Sequence, residues 1–195
     1  MADAVKNKVK YGLSNCQIAP IDPATGEYQS SIKLPGIIKF TASPEGNSTV
    51  LYADDTAYYV AQSNNGYTGE LEAADIPDDV LAIILGNKTD ANGIVYESAD
   101  DQGKNFALLF EINGDAQKCR VAYYNCSAAR PETENETNSE DIKFANDKIK
   151  LTMIPTVAND KKIIRGVKAQ NGVDDAVFKN WFTKVTRPGD TIAEG

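Results

Sequence analysis

Polar and apolar positions between Gly66 and Ala74 alternate. Tyr67, Gly69, Leu71 and Ala73 fall on one parity, and Thr68, Glu70 and Glu72 on the other. A period of two marks a strand with one buried and one wet face. Asn65-Gly66 in front of it is a turn dipeptide, because glycine takes positive φ freely and asparagine nearly so. Upstream, the run AYYVA from Ala57 to Ala61 predicts a second strand. Downstream the period becomes helical, with Val80, Ile83 and Ile84 on one face of a helix over 77–85. Pro77 suits its first turn, Asp78 and Asp79 complement the helix dipole, and Gly86 supplies a left-handed stop.

Similar reasoning covers the rest of the chain. Residues 1–31 read as an arm and a loop, broken by Asp22-Pro23 and Thr25-Gly26. Leu34-Pro35-Gly36 turns into a strand over 37–42, and residues 43–48 form a polar loop. Thr49 to Gly66 is a long excursion, a projecting hairpin or ordered loop with Asp54-Asp55 at its bend. A short strand is expected over 94–96. Phe106–Ile112 is apolar on both faces, as a doubly covered strand is. Asn113-Gly114 is the strongest hairpin signal, and a return strand runs over about 118–127. Residues 132–141 hold five acids and no base and read as a solvated loop. Lys148–Met153 alternates cleanly. Ile142 and Phe144 have the opposite parity, which predicts a bulge near Asn146-Asp147. A weaker strand spans 162–168. Val173–Val185 is amphipathic, with Val177, Phe178, Trp181 and Phe182 on one side, and predicts a helix anchored in the core by Trp181. The expectation is one mainly β domain over 1–195, a sandwich or barrel with one or two short helices, a loose N-terminal arm (about 1–10) and a loose C-terminal tail (about 188–195).

Composition narrows the chemistry. The chain has 195 residues, a net charge of −8 and no histidine. An acidic balance argues against a nucleic-acid grip, which needs clustered Lys and Arg. The missing histidine removes Ser-His-Asp and Cys-His catalysis and the commonest transition-metal ligand. Cys16, Cys119 and Cys126 lack paired spacing and read as reduced apolar residues. No apolar run follows Lys6, Lys8 and Lys10, so neither a signal peptide nor a membrane span is expected.

Candidate sites each have a plainer reading. Four Asp-Asp pairs (54–55, 78–79, 100–101 and 174–175) suggest calcium, yet they sit at helix starts and turns, where Asp is common anyway. Glu70 and Glu72 are neighbours on one strand face and resemble an acid–base pair, but wet strand faces carry such pairs routinely. Tyr58, Tyr59, Tyr67, Tyr123 and Tyr124 either form a sugar- or partner-binding surface or simply suit strands. No nucleophile–base pair or phosphate loop is present, so no enzyme and no cofactor are expected.

The order of the elements within Tyr52–Gly86 resembles the major tail protein, or tail tube protein, of long non-contractile phage tails, as in siphophages of Gram-positive bacteria. Phe106–Pro131 is similar to the same family's paired strands with an Ala-Arg-Pro exit, and Asn180-Trp181-Phe182 followed by Val185 to its terminal motif. The resemblance spans roughly residues 6–187. It implies a virion structural protein, assembled in the host cytoplasm into stacked rings of six whose strands join in one inner barrel. Its partners would be further copies of itself, a tape measure protein, tail chaperones, and distal tail and tail terminator proteins; phage DNA would pass without specific binding. On that reading Glu70 and Glu72 face the lumen as part of a negative lining, and Asp54, Asp55, Tyr58 and Tyr59 contact the next ring. The alternative is a monomeric β-sandwich module of a tail that binds carbohydrate or a receptor.

Overall fold

A computed structural model of the chain describes residues 6–131, 146–171 and 175–190. Antiparallel pairing organises them. In chain order the strands are β1 (Lys10–Pro20), β2 (Ile32–Lys33), β3 (Ile37–Glu45), β4 (Ser48–Ala53), β5 (Thr56–Gln62) and β6 (Gly66–Ala73). Helix α1 (Asp78–Ile84) follows, then β7 (Lys88–Thr89), β8 (Val95–Tyr96), β9 (Phe106–Gly114), β10 (Cys119–Ala128) and β11 (Asp147–Met153). The chain continues through β12 (Thr156–Ala158), β13 (Lys161–Ile163), β14 (Arg165–Ala169) and α2 (Ala176–Asn180).

The main sheet runs β2-β1-β9-β10-β11-β6-β3, with β14 paired to the first half of β10. It curls until β1 and β3 approach each other. The result is a barrel left open along one seam. Its inside holds the larger core: Ile18, Leu71, Phe106, Leu108, Phe110, Val121, Ile149, Leu151 and Met153 all lie there. Val80, Ile84 and Leu85, from and just after α1, plug one end of it. A second cluster covers the outer face of β1, β9 and β10, where Ala19, Ala107, Leu109, Ala122 and Tyr124 meet Trp181 and Val185. Both faces of β9 are therefore buried, which is why its sequence shows no alternation. Among the described residues no such cluster covers the outer face of β11, β6 and β3.

Several sequence expectations are met. β6 and α1 lie where their periodicities place them, Gly86 adopts φ +85, and Thr49–Gly66 is built as a hairpin. Others are corrected. Residues 10–20 are not a loop: β1 is an eleven-residue strand paired with β9. Two register shifts, with Gly12 at φ +64 and Asn15 at φ +51, break its alternation and conceal it in the sequence. Asn113-Gly114 is not a turn; both residues are still paired, with Tyr11 and Lys10. The chain turns over 115–118 instead, where Asn7 accepts from the amides of Ala116 and Gln117 and donates to the Gln117 carbonyl. Strand β3 extends to Glu45, into the expected 43–48 loop. Pro77 is the N-cap of α1 and not its first helical residue. The last helix is shorter than predicted, with Asp175 as its N-cap and turns beyond Asn180. The expected 162–168 strand is split at Ile164 into β13 and β14. The acidic 132–141 segment, and Ile142 and Phe144, lie outside the described residues. From Asp147 onward β11 pairs with β6 without a bulge.

Candidate subunit-contact surfaces

The β4–β5 hairpin continues beyond the ends of β3 and β6 as a separate two-stranded sheet. Six or seven residues per strand carry it about 20 Å outward. Asp54 and Asp55 form its tip with φ +52 and +56, the left-handed pair that a tight hairpin turn requires. Aspartate tolerates that region better than most residues. Val50 stands opposite Val60, and Leu51 opposite Tyr59, on the other side of the ribbon. Both faces thus carry apolar side chains, and neither joins a core cluster of the described residues. Tyr52 is 68% exposed, Tyr58 76%, Tyr59 63% and Leu51 58%. Adjacent Tyr58 and Tyr59 point to opposite sides, as strand geometry demands.

Glu70 and Glu72 share one face of β6, as their parity predicts, and both are half-buried. Their neighbours change the electrostatics. Lys150 stands across from Glu70, and Lys148 across from Glu72, on β11. On the other side, β3 brings Lys39 beside Glu72 and Thr41 beside Glu70. Glu45 lies on this face too, accepting from the Thr68 hydroxyl at 2.7 Å. Asn146 Nδ2 donates to Glu72 Oε1 at 3.0 Å. The outer face of β3, β6 and β11 therefore carries three glutamates and three lysines. It is not the uniformly negative surface expected from the net charge, because the lysines come from strands distant in sequence.

At the seam between β1 and β3 a groove of about 420 Å³ opens toward the core. Its floor is an aromatic cluster: Phe40 lies 5.2 Å from Phe110 and 5.4 Å from Tyr123, centroid to centroid. Lys10, Lys39 and Arg165 are its only charged lining residues among those described. Tyr123 faces this groove, whereas Tyr124 turns to the second cluster, where its hydroxyl donates to the Thr186 carbonyl at 3.1 Å. Burial raises the Tyr124 hydroxyl far above its ordinary range.

One charged cluster was invisible in the sequence. Glu111 of β9 is buried and accepts from Arg120 Nε at 2.9 Å and Lys118 Nζ at 3.0 Å. Burial pushes its carboxyl up, but the hydrogen bonds and charges of Arg120 and Lys118 outweigh that and hold it below the usual glutamate value. The Arg120 guanidinium lies 3.9 Å from the Phe178 ring centroid and 4.6 Å from that of Phe182, and it donates to the Phe178 carbonyl. This cluster ties the C-terminal segment to the sheet. The only hint was an acid within an apolar strand and a base in its partner.

Cys16, Cys119 and Cys126 are free thiols, all buried. Burial pushes Cys16 and Cys126 up to about 12, so neither is a thiolate at neutral pH. Asp54-Asp55 forms a turn, Asp78-Asp79 opens α1 and Asp175 caps α2. Among the described residues no three acidic or cysteine side chains gather as a metal site. Among them too, no helix is long and apolar enough to cross a membrane.

In comparisons with known proteins, the chain matches no family model and no curated protein.

Proposed function

We propose that this chain is a tail tube subunit, a structural protein that assembles with copies of itself into stacked rings around a channel for DNA. The observation that carries this reading is the β4–β5 hairpin. A two-stranded ribbon alone in water is marginally stable. This one keeps apolar side chains exposed on both faces and belongs to neither core cluster of the described residues. Such an element gains its stability when a neighbour covers it. The sheet supports the same reading: among the described strands β3 pairs with β6 alone, so its other edge, along the seam with β1, offers unpaired backbone groups to a second copy. Assembly of copies into rings and stacks covers such edges.

On this reading the outer face of β3, β6 and β11 lines the channel. Its three lysines and three glutamates cancel, so a passing duplex meets no net positive surface and releases few counterions. The tape measure, chaperone, distal and terminator proteins remain the expected assembly partners, and the virion tail the expected location. The test is negative-stain electron microscopy at rising protein concentration, on the full chain and on a variant lacking residues 53–57. Hollow tubes or six-fold rings from the full chain, and monomers from the deletion, are the expected result. A full chain that stays monomeric even with a tail-tip initiator complex present, and whose melting temperature rises with a saccharide, would replace this reading with the binding-module one.

A further inference from the structure

We infer that the seam groove between β1 and β3 is the receptor for the β4–β5 hairpin tip of a second copy of this chain. The inference rests on the self-assembly reading above and adds to it a specific docking site. Charge is the first argument. From Gly46 to Gly66 the only charged residues are Asp54 and Asp55, both at the hairpin tip. Lys10 and Arg165 line the groove on its inner side, Lys39 stands at its edge on the outer face of β3, and no described acid lines it. An acid-only tip and a base-only pocket on the same surface are complementary.

Shape and chemistry agree. Tyr52 and Tyr58 flank the tip, both largely exposed. The groove floor offers Phe40, Phe110 and Tyr123, an aromatic cluster open at the seam. Aromatic rings entering an aromatic-floored pocket, rimmed by opposite charge, form the usual energetic centre of an interface. The pocket's volume lies within the range of roughly 300–1,000 Å³ typical of binding pockets.

Geometry makes the contact intermolecular. The groove takes Ile38, Lys39, Phe40 and Ala42 from β3, whereas the hairpin follows Glu45, the last residue of that strand, and forms a sheet of its own. Tip and receptor are therefore different patches, one on each partner. A contact between unlike patches leaves one free tip and one free receptor after each addition, so it propagates. Stacking of unlimited length follows without any second interface of the same kind.

The test uses charge reversal in the full-length chain. One variant reverses the tip (Asp54→Lys with Asp55→Lys) and the other the groove (Lys10→Glu with Arg165→Glu). Sedimentation velocity reads association, electron microscopy reads its form, and circular dichroism checks that each variant is folded. The expected result is that the wild type associates, each folded variant loses association, and an equimolar mixture of the two regains it by alternating copies. Wild-type tubes that persist in both variants, or variants that stay apart when mixed, would overturn the groove assignment while leaving the tube reading intact. A wild type that does not associate even with a tail-tip initiator, and yields no interprotomer crosslink between Asp55→Cys and Lys39→Cys chains, would overturn both.

Discussion

Arg120 is held from three sides: by the Glu111 carboxylate, by the ring faces of Phe178 and Phe182, and by the Phe178 carbonyl. Taking away the carboxylate's charge leaves a mostly buried cation without its counter-ion. Glu111→Gln is expected to lower stability by about 3 kcal/mol, measured by urea denaturation. A loss below about 1 kcal/mol would mean that the aromatic rings and Lys118 hold the segment without help from the pair. The pH dependence has a definite sign. The folded carboxyl titrates below the ordinary value of 4.5, so the pair's stabilisation is complete above that pH. It is lost as the pH falls from there through the lowered folded value, because the unfolded chain takes up the proton first. Asp175, held down by Lys168 and by the amides of Asn171 and Phe178 against the upward push of burial, adds a second loss beginning near 3.8. Stability measured at a series of pH values should therefore decline below about pH 4.5 in the wild type, and less steeply in Glu111→Gln.

Among the elements, the hairpin and its root behave differently. Gly66 sits where β6 begins, at φ +127, with the position of a Cβ only 2.1 Å from the Met153 carbonyl oxygen. Gly66→Ala meets both backbone strain and a clash with main chain. We expect it to cost about 2 kcal/mol or more, read as a fall in melting temperature. Further out, Tyr58 and Tyr59 are largely exposed and belong to neither core cluster of the described residues. Tyr58→Ser with Tyr59→Ser should leave monomer stability within about 0.5 kcal/mol of wild type and yet abolish assembly in electron micrographs. A large loss of monomer stability would show that the hairpin folds back on the body. The same contrast explains what could be read from the sequence. β6, α1 and the bend at Asp54-Asp55 follow from local signals: a period of two, a period of 3.6 and a pair of turn-tolerant residues. β1 does not, because its two bulges erase the period and its partner β9 lies about a hundred residues away. The Asn113-Gly114 signal failed for a related reason. Pairing with β1 holds both residues in the ladder, and the turn falls at 115–118, where Asn7 binds the amides of Ala116 and Gln117.

At the scale of the molecule, the candidate channel face was half legible. The parity of Glu70 and Glu72 was visible in the sequence; the lysines that offset them come from β3 and β11, and only the register brings them together. A net charge of −8 on the chain does not translate into an acidic face. This sharpens the mutational test. Glu70→Lys with Glu72→Lys would turn a face of three lysines and three glutamates into one of five lysines and one glutamate. Tubes of normal form that retain DNA, with retention weakening steeply as salt rises, are the expected outcome. Unaltered ejection at low salt would place this face away from the DNA path. The groove was not legible at all. It exists because β1 and β3, brought together by the curl of the sheet, approach without pairing, and no linear pattern encodes an unmade hydrogen-bond ladder.

The exposed ribbon also has a consequence for the free subunit. Residues 48–62 are two β-prone, mostly uncharged segments with open edges, the composition from which fibrils grow. The two aspartates at the tip are then gatekeepers against misassociation. Storage conditions, and the interval between synthesis and incorporation in the cell, would then be set by the colloidal behaviour of this ribbon more than by the strength of the core.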